Sequence, residues 1–308
     1  MITFLSGGTG TPKLILGARR HLPDTEITVV VNTAEDLWIS GNYLSPDIDT
    51  LIYLFSGRLN TNTWWGITGD TFCTHEELKR LGIDEYIGIG DLDRALHITR
   101  GDLLRKGCSL TMATKHLCSR MGISAPILPM TDHPVATLIK TGDQVIQYQE
   151  YWVKYRGSVP IEEVIRDAPS GSSATSEVLS AIKDSDLVII GPSNPITSIL
   201  PILECDGIIP ALRERFVVAV SPFIGDAPVS GPAAALMQAK GLSPDSRSTY
   251  TLYEDILDLF VQDICDPVEV PGSIRFDTLM TDCDKSAALA GMLLEAVKRM
   301  SQIDSWEK

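Results

Sequence analysis

The sequence predicts an α/β protein built on a mostly parallel, doubly wound sheet, and three observations carry that prediction. The chain opens as an apolar strand pattern, Ile2-Thr3-Phe4-Leu5, that runs through Ser6-Gly7-Gly8-Thr9-Gly10 into the helical spacing of Leu14, Ile15 and Ala18. Ile27 to Val31 is a continuous β-branched run, as expected of a parallel strand buried on both faces. Two later runs, Asp186 to Ile190 and Phe216 to Val220, end as the first does, in loops of glycine, serine, asparagine or proline. In such sheets ligands collect at the carboxyl ends of the strands, so recurrent loops of this kind point to one shared crevice.

The first loop reads as an anion cradle. Thr11 is placed to cap the helix and Pro12 to occupy its first turn, while three glycines let the backbone approach a ligand at the positive end of the helix dipole. Gly8-Thr9-Gly10 matches the first half of a dinucleotide fingerprint, but Lys13 stands where the third glycine belongs, and no lysine-serine pair of a P-loop follows. A plain tight turn is the alternative.

Composition narrows the partners. The 308 residues suit one large α/β domain or a core with an appendage. The net charge of −14 argues against a nucleic-acid backbone or an anionic membrane surface. A phosphate loop on an acidic chain is reconciled by a divalent cation between protein carboxylates and phosphates. No uncharged run is long enough to span a bilayer, and the start of the chain enters a strand without a signal-peptide pattern, so a cytoplasmic protein is expected. Six cysteines without a C-x-x-C pair read as buried free thiols.

Along the chain, Val31 is followed by Asn32-Thr33-Ala34-Glu35-Asp36, which places Asn32 and Asp36 near the glycine loop. Pro46-Asp47-Ile48-Asp49-Thr50 opens a helix. Asp47 and Asp49, two apart, diverge on a formed helix and converge only in a loop or frayed turn, and as helix-start acids they also complement the dipole. Residues 49–122 turn mostly helical, longer than a normal crossover, and read as an insertion. It holds Trp64-Trp65-Gly66, a platform for a planar ligand or simple packing. It also holds Gly90-Asp91-Leu92-Asp93-Arg94-Ala95, where Asp93, His97 and Arg100 share one helical face suited to proton transfer, phosphate binding or a solvated salt-bridged surface. Val135 to Ile139 and Val145 to Val153 look antiparallel around Thr141-Gly142-Asp143, making the sheet mixed. Gly191-Pro192-Ser193-Asn194-Pro195-Ile196-Thr197-Ser198 is a second phosphate-like strand end, Gly225 to Pro232 a third, and Thr278 to Asp282 a last strand before a closing amphipathic helix.

Segments 6–13, 31–36, 46–50, 65–66, 90–95 and 191–199, in this order, resemble the 2-phospho-L-lactate transferase (CofD) family, and the resemblance runs from Met1 to Met280-Thr281-Asp282. It implies a Rossmann-like core, residues 1–48 and 123–308, with a helical insertion or lid at 49–122. It further implies transfer of lactyl phosphate from lactyl-2-diphospho-5′-guanosine to the ribityl hydroxyl of 7,8-didemethyl-8-hydroxy-5-deazariboflavin (FO), releasing GMP, in the synthesis of coenzyme F-420 with magnesium. On that basis Asp47 and Asp49 are the expected catalytic pair and, with Asp36, the magnesium ligands. Gly8, Thr9, Gly10, Lys13, Ser193 and Asn194 are expected on the donor phosphates, with Arg100 reaching from the insertion, and Asn32, Trp65, Asp91 and His97 complete the substrate site. Leu92 and Asp226 depart from the family pattern, which has arginine and asparagine there, and carry no role. The expected partners are FO and a guanosine diphosphate-linked lactate donor, without nucleic acid or membrane, and a homodimer is compatible. A non-catalytic nucleotide-sugar-binding regulator of the YvcK type is the alternative. A nicotinamide dehydrogenase fits less well, because no ribose-binding acid follows the second strand in a clean fingerprint.

Overall fold

Seven strands form one wholly parallel sheet: β1 (Ile2–Ser6), β2 (Ile27–Val31), β3 (Ile127–Pro129), β4 (Leu187–Ile190), β5 (Val217–Val220), β6 (Leu259–Asp263) and β7 (Ile274–Phe276). Their order is β7-β6-β5-β4-β1-β2-β3, the doubly wound pattern in which the chain reverses direction between β1 and β4. Phe4 pairs with Val29 on one side and Ile189 on the other, so β1 lies at the centre. The structure is a computed structural model and describes residues 1–224, 227–228 and 231–304. Gly225, Asp226, Val229 and Ser230 of the expected third loop therefore lie outside the described residues.

Side-chain alternation divides the core between the two faces of the sheet. Ile2, Phe4, Val29 and Ile189 pack with Leu14 and Ile15 of helix α1 (Gly10–Ala18), with Ile48 and Leu51 of α2 (Pro46–Phe55), and with Leu289 and Leu293 of the C-terminal helix Cys283–Asp304. Leu5, Val30, Val188 and Ile190 face the other way, onto Val178, Ile182, Ile202 and Leu212. Full burial of each such side chain contributes roughly 1.5–3 kcal/mol.

Four expectations change. The antiparallel strands do not join the main sheet; Ala136–Thr141, Gln144–Gln147 and Glu163–Asp167 make a separate three-stranded sheet. After Gln147 the chain leaves the strand, and Glu150–Lys154 forms a single π-helical turn. The last strand is Ile274–Phe276, with residues 278–282 in a loop where Asp263 accepts from the Thr278 amide and hydroxyl. Among the cysteines Cys118 and Cys205 are buried, whereas Cys73, Cys265 and Cys283 are exposed, and all six are free. No helix among the described residues is long and apolar enough to cross a membrane.

Between β2 and β3 the chain adds the hairpin Leu37–Ile39/Asn42–Leu44, then α2, α3 (Cys73–Arg80), α4 (Asp91–Arg105) and α5 (Leu110–Arg120). A boundary at residue 49 falls inside α2. Leu96, Leu110 and Leu117 of the following helices also bury in the same core as Ile48 and Val29, so this segment is packed into the domain along much of its length.

Candidate active site

The loops after β1 and β4 interlock at the reversal point of the sheet. Gly8 adopts φ +58°, which only glycine takes without strain. Gly10 answers a different demand, since a Cβ there would lie 1.9 Å from the Pro192 carbonyl oxygen. The expected Thr11 cap is not made: its hydroxyl lies 2.6 Å from Ser193 Oγ, which also accepts from the Thr11 amide at 3.1 Å and donates to the Gly7 carbonyl. Ser193 thus fastens one loop to the other, and its hydroxyl is fully engaged although the residue borders the cleft. Asn194 keeps a free group. Its Oδ1 accepts from the amides of Ile196 (3.0 Å) and Thr197 (3.4 Å), capping the turn Pro195–Ile199, while its buried Nδ2 has no partner among the described residues.

The two aspartates of α2 diverge, as a formed helix requires. Asp47 turns to the glycine loop and accepts from the Gly8 amide (2.7 Å) and from Asn32 Nδ2 (2.8 Å). Asn32 also donates to the Thr197 carbonyl at 3.1 Å, so its side chain ties together three segments and does not border the cleft. With the Gly8 amide taken, the Thr9 and Gly10 amides are the ones left to meet an anion. Burial pushes Asp47 up to about 6, against the hydrogen bonds from Asn32 and Gly8 that favour its charge. Beside it in the cleft wall sits Glu35, to which sequence reasoning gave no role. Gln149 donates to it at 2.6 Å, yet burial and then the Asp47 charge hold it well above the usual carboxylate range. Asp36 does not join them: it accepts from the Ser45 hydroxyl at 2.7 Å, and desolvation raises it too.

Asp49 turns the other way, into a buried ionic cluster on α4. Arg100, fully buried, binds both Asp49 oxygens and the Tyr43 carbonyl (3.2 Å). His97 Nε2 lies 3.0 Å from both Asp49 Oδ2 and Asp93 Oδ1, and the Tyr53 hydroxyl donates to Asp93. Burial would raise Asp49, but Arg100 and then His97 bring it down to about 2. Burial would lower His97, but the two aspartates outweigh it and raise it to about 9. Asp93, His97 and Arg100 do share one helical face, as the spacing required; that face is buried, and neither His97 nor Arg100 reaches the cleft. Asp49, Asp93 and His97 place ligand atoms within 4.8 Å of one another, the one such group among the described residues.

Two further expected contacts are displaced. The Asp91 carboxylate accepts from the Thr71 hydroxyl (2.6 Å) and the Cys73 and Thr74 amides (3.0 and 2.9 Å), capping α3, while Asp70 accepts from the Leu92 and Asp93 amides and caps α4. This reciprocal cap explains the Gly-Asp motif, since a Cβ at Gly90 would meet Asp70 Oδ2 at 2.2 Å. Lys13 Nζ sits 5.3 Å from the centre of the Trp64 ring, behind the cleft, where burial lowers its pKa.

What remains is a cleft of about 590 Å³. Gly8, Thr9, Gly10, Ser193 and Asn194 border it, together with the acids Glu35, Asp47, Asp49 and Asp93. Trp64 and Trp65 come from the insertion, Trp65 being 46 % exposed, and Tyr148, Trp152 and Arg156 from the segment between the second and third strands of the small sheet. Sequence reasoning assigned nothing to Glu35 or Arg156, and it read Asp93 only as one of three residues on a common helical face. Glu35 lay in the strand-end segment 32–36, but Arg156 carried no signal in spacing. A site with unengaged amides, one free amide nitrogen, clustered carboxylates and half-exposed indoles can hold an anion and a planar ring together.

Comparison with known proteins agrees in kind. The family model described as 2-phospho-L-lactate transferase CofD matches residues 2–272. A protein of Methanocorpusculum labreanum named 2-phospho-L-lactate transferase is 55 % identical over 303 residues, covering 97 % of this chain and 100 % of its own. Proteins of the same name from Methanospirillum hungatei and Methanocaldococcus jannaschii are 52 % and 44 % identical, each over 96 % of this chain and over 99 % and 97 % of their own lengths. Among solved structures, a upf0052 family member from Bacillus halodurans superposes with a TM-score of 0.57 at 16 % identity, covering 87 % of this chain and 81 % of that one, which shows a shared fold.

Proposed function

Because this chain belongs to the 2-phospho-L-lactate transferase (CofD) family, we propose that it transfers the lactyl-phosphate group of lactyl-2-diphospho-5′-guanosine to the ribityl hydroxyl of FO and releases GMP. The observation that carries the reading is the cleft's dual character, with anion-binding loops at the reversal point of the sheet and tryptophans on the added segments bordering one cavity. A regulator that binds only a nucleotide sugar would have no use for the indole wall.

The residues fit magnesium. Glu35 and Asp47 are hard oxygen ligands in the cleft wall, and the pressure toward protonation on both is what a divalent cation relieves. Asp49 has its charge already met by Arg100 and His97, so we place it behind the site as an anchor of α4, and Asp36 against Ser45. When bound, magnesium supplies charge neutralisation for the donor phosphates. The chain itself binds those phosphates through the Thr9 and Gly10 amides and Asn194 Nδ2, and seats the acceptor ring against Trp65. In-line displacement at phosphorus asks mainly for positioning and stabilised charge, which these groups supply.

Mass spectrometry of products tests the reading. Incubation with FO, magnesium and guanosine diphosphate-linked lactate should yield GMP and FO extended by lactyl phosphate. Parallel incubation with the enolpyruvyl donor identifies the preferred three-carbon acid. No product from either donor, with tight nucleotide-sugar binding, would favour the regulator.

A further inference from the structure

We propose that Arg156 is the phosphate-gripping cation of the cleft, engaging the diphosphate of the donor; the inference rests on the transferase reading above and names a residue for it. The first argument is charge. Four acids border the cleft, and Arg156 is the one basic side chain among the described residues that does so. Its neighbours are committed: Lys154 donates to Glu150 at 2.6 Å and lies over the Tyr155 ring, Arg100 is buried on Asp49, and Lys13 lies over Trp64. The Arg156 side chain is exposed and makes no hydrogen bond or ion pair among the described residues. A donor whose diphosphate alone carries two negative charges requires cationic contacts in an acidic cleft, and a guanidinium matches two phosphate oxygens at once.

The second argument is backbone conformation. Arg156 adopts φ +52°, a left-handed geometry that side-chain-bearing residues avoid, and it is followed by Gly157 at φ +66°. Of the three non-glycine residues with positive φ among the described residues, two, Trp64 and Arg156, border this cleft. Such strain persists only where surroundings over-determine it, and it gathers at functional sites. Here the clamp is Tyr151, fully buried, whose carbonyl accepts from the Gly157 amide at 3.0 Å and whose hydroxyl donates to the Gly157 carbonyl at 3.2 Å. The preceding π-helical turn, Glu150–Lys154, belongs to a class of irregularity frequent at binding sites. The Trp152 ring lies over Gly157, where a Cβ would come within 3.3 Å of it. The segment thus fixes the root of Arg156 and leaves its charge free.

The test exploits that strain. Arg156→Gly relieves the backbone and should melt no lower than wild type, while its Kd for GDP, by calorimetry, rises at least tenfold and its Kd for FO, by tryptophan quenching, stays within twofold. Arg156→Lys should recover part of the GDP affinity, and wild-type binding of GDP and inorganic pyrophosphate should weaken with salt more steeply than that of the glycine variant. GDP binding within twofold of wild type in Arg156→Gly, or equal losses for GDP and FO, overturns the proposal, as does wild-type protein that binds neither GDP nor pyrophosphate. Wild-type protein that binds both phosphates in an Arg156-dependent way but not FO would leave this inference standing and refute the transferase reading.

Discussion

Replacing Asp49 by asparagine should act on stability before it acts on chemistry. The carboxylate is the shared counter-charge of fully buried Arg100 and of His97, so its loss leaves a guanidinium and an imidazolium in a desolvated site, with Asp93 on His97 and Asp36 near Arg100 as the remaining acids. Removing one partner of a buried ion pair costs about 3–5 kcal/mol, since the remaining charge stays desolvated. At roughly 2–4 °C per kcal/mol for a larger domain, the melting temperature should fall by about 6–20 °C. The pH dependence identifies the cause. His97, raised from 6.5 to about 9, contributes stability that is complete below its unfolded pKa and is lost as pH rises through 9. Asp49, lowered from 3.8 to about 2, contributes stability above its unfolded pKa that is lost as pH falls through 2. Wild type should therefore lose melting temperature between pH 7 and 9.5 as His97 gives up its proton, and Asp49→Asn should lose less over that interval. Calorimetric melts at pH 6, 7.5 and 9.5 decide it. A variant melting within 2 °C of wild type at pH 6, with an unchanged pH slope, would refute the buried-network argument.

The other predictions concern the cleft. Asp47→Asn should keep the fold and remove magnesium-stimulated turnover, and wild-type activity should fall as pH drops through about 6, where Asp47 takes up a proton; full activity in excess chelator would refute it. Asn194→Asp preserves the Oδ1 cap on Ile196 and Thr197 but replaces the free Nδ2 donor with a charge, so the Kd for GDP should rise more than tenfold with a melting temperature within about 2 °C of wild type; equal GDP affinity by calorimetry would make Asn194 purely structural. Trp65→Leu should raise the Michaelis constant for FO several-fold with little change for the donor, since stacking against an indole contributes on the order of 1 kcal/mol beyond burial, and unchanged FO affinity and quenching would leave Trp152 as the acceptor wall.

The parallel core was legible because strands buried on both faces must be apolar without interruption, as Ile27–Val31 and Leu187–Ile190 are. β6 was less so, because Asp258 interrupts the apolar run that leads into it and the strand itself ends in the buried pair Gln262 and Asp263. The glycine loop and its partner after β4 were correctly placed together, but residue type alone did not separate ligand contact from loop-to-loop contact. Ser193 looked like a phosphate donor group and is a fastener, whereas Asn194, beside it, leaves one nitrogen free. The Asp91 motif misled for a related reason: a carboxylate at a helix start satisfies any nearby amides, and those it meets belong to α3, 17 and 18 residues away in sequence. Arg156 was invisible because its importance lies in which other cations are already paired, a property of the folded chain.

The pairing of charges inside the fold also locates the need for a metal. Asp49 and Asp93 border the cleft, yet His97 touches both and Arg100 binds Asp49, so these acids reach the cavity already compensated from behind. Glu35 and Asp47 are held instead by neutral donors, Gln149, Asn32 and the Gly8 amide, which satisfy lone pairs without cancelling charge. Burial consequently raises both groups, while the compensated Asp49 is lowered. Two pairs of acids bordering one cavity can therefore differ in role: one pair demands a cation from outside and the other has its own. An acidic protein can then accept a diphosphate, because the uncompensated negative charge is concentrated at Glu35 and Asp47, where a magnesium ion shared with the phosphates would serve protein and substrate at once.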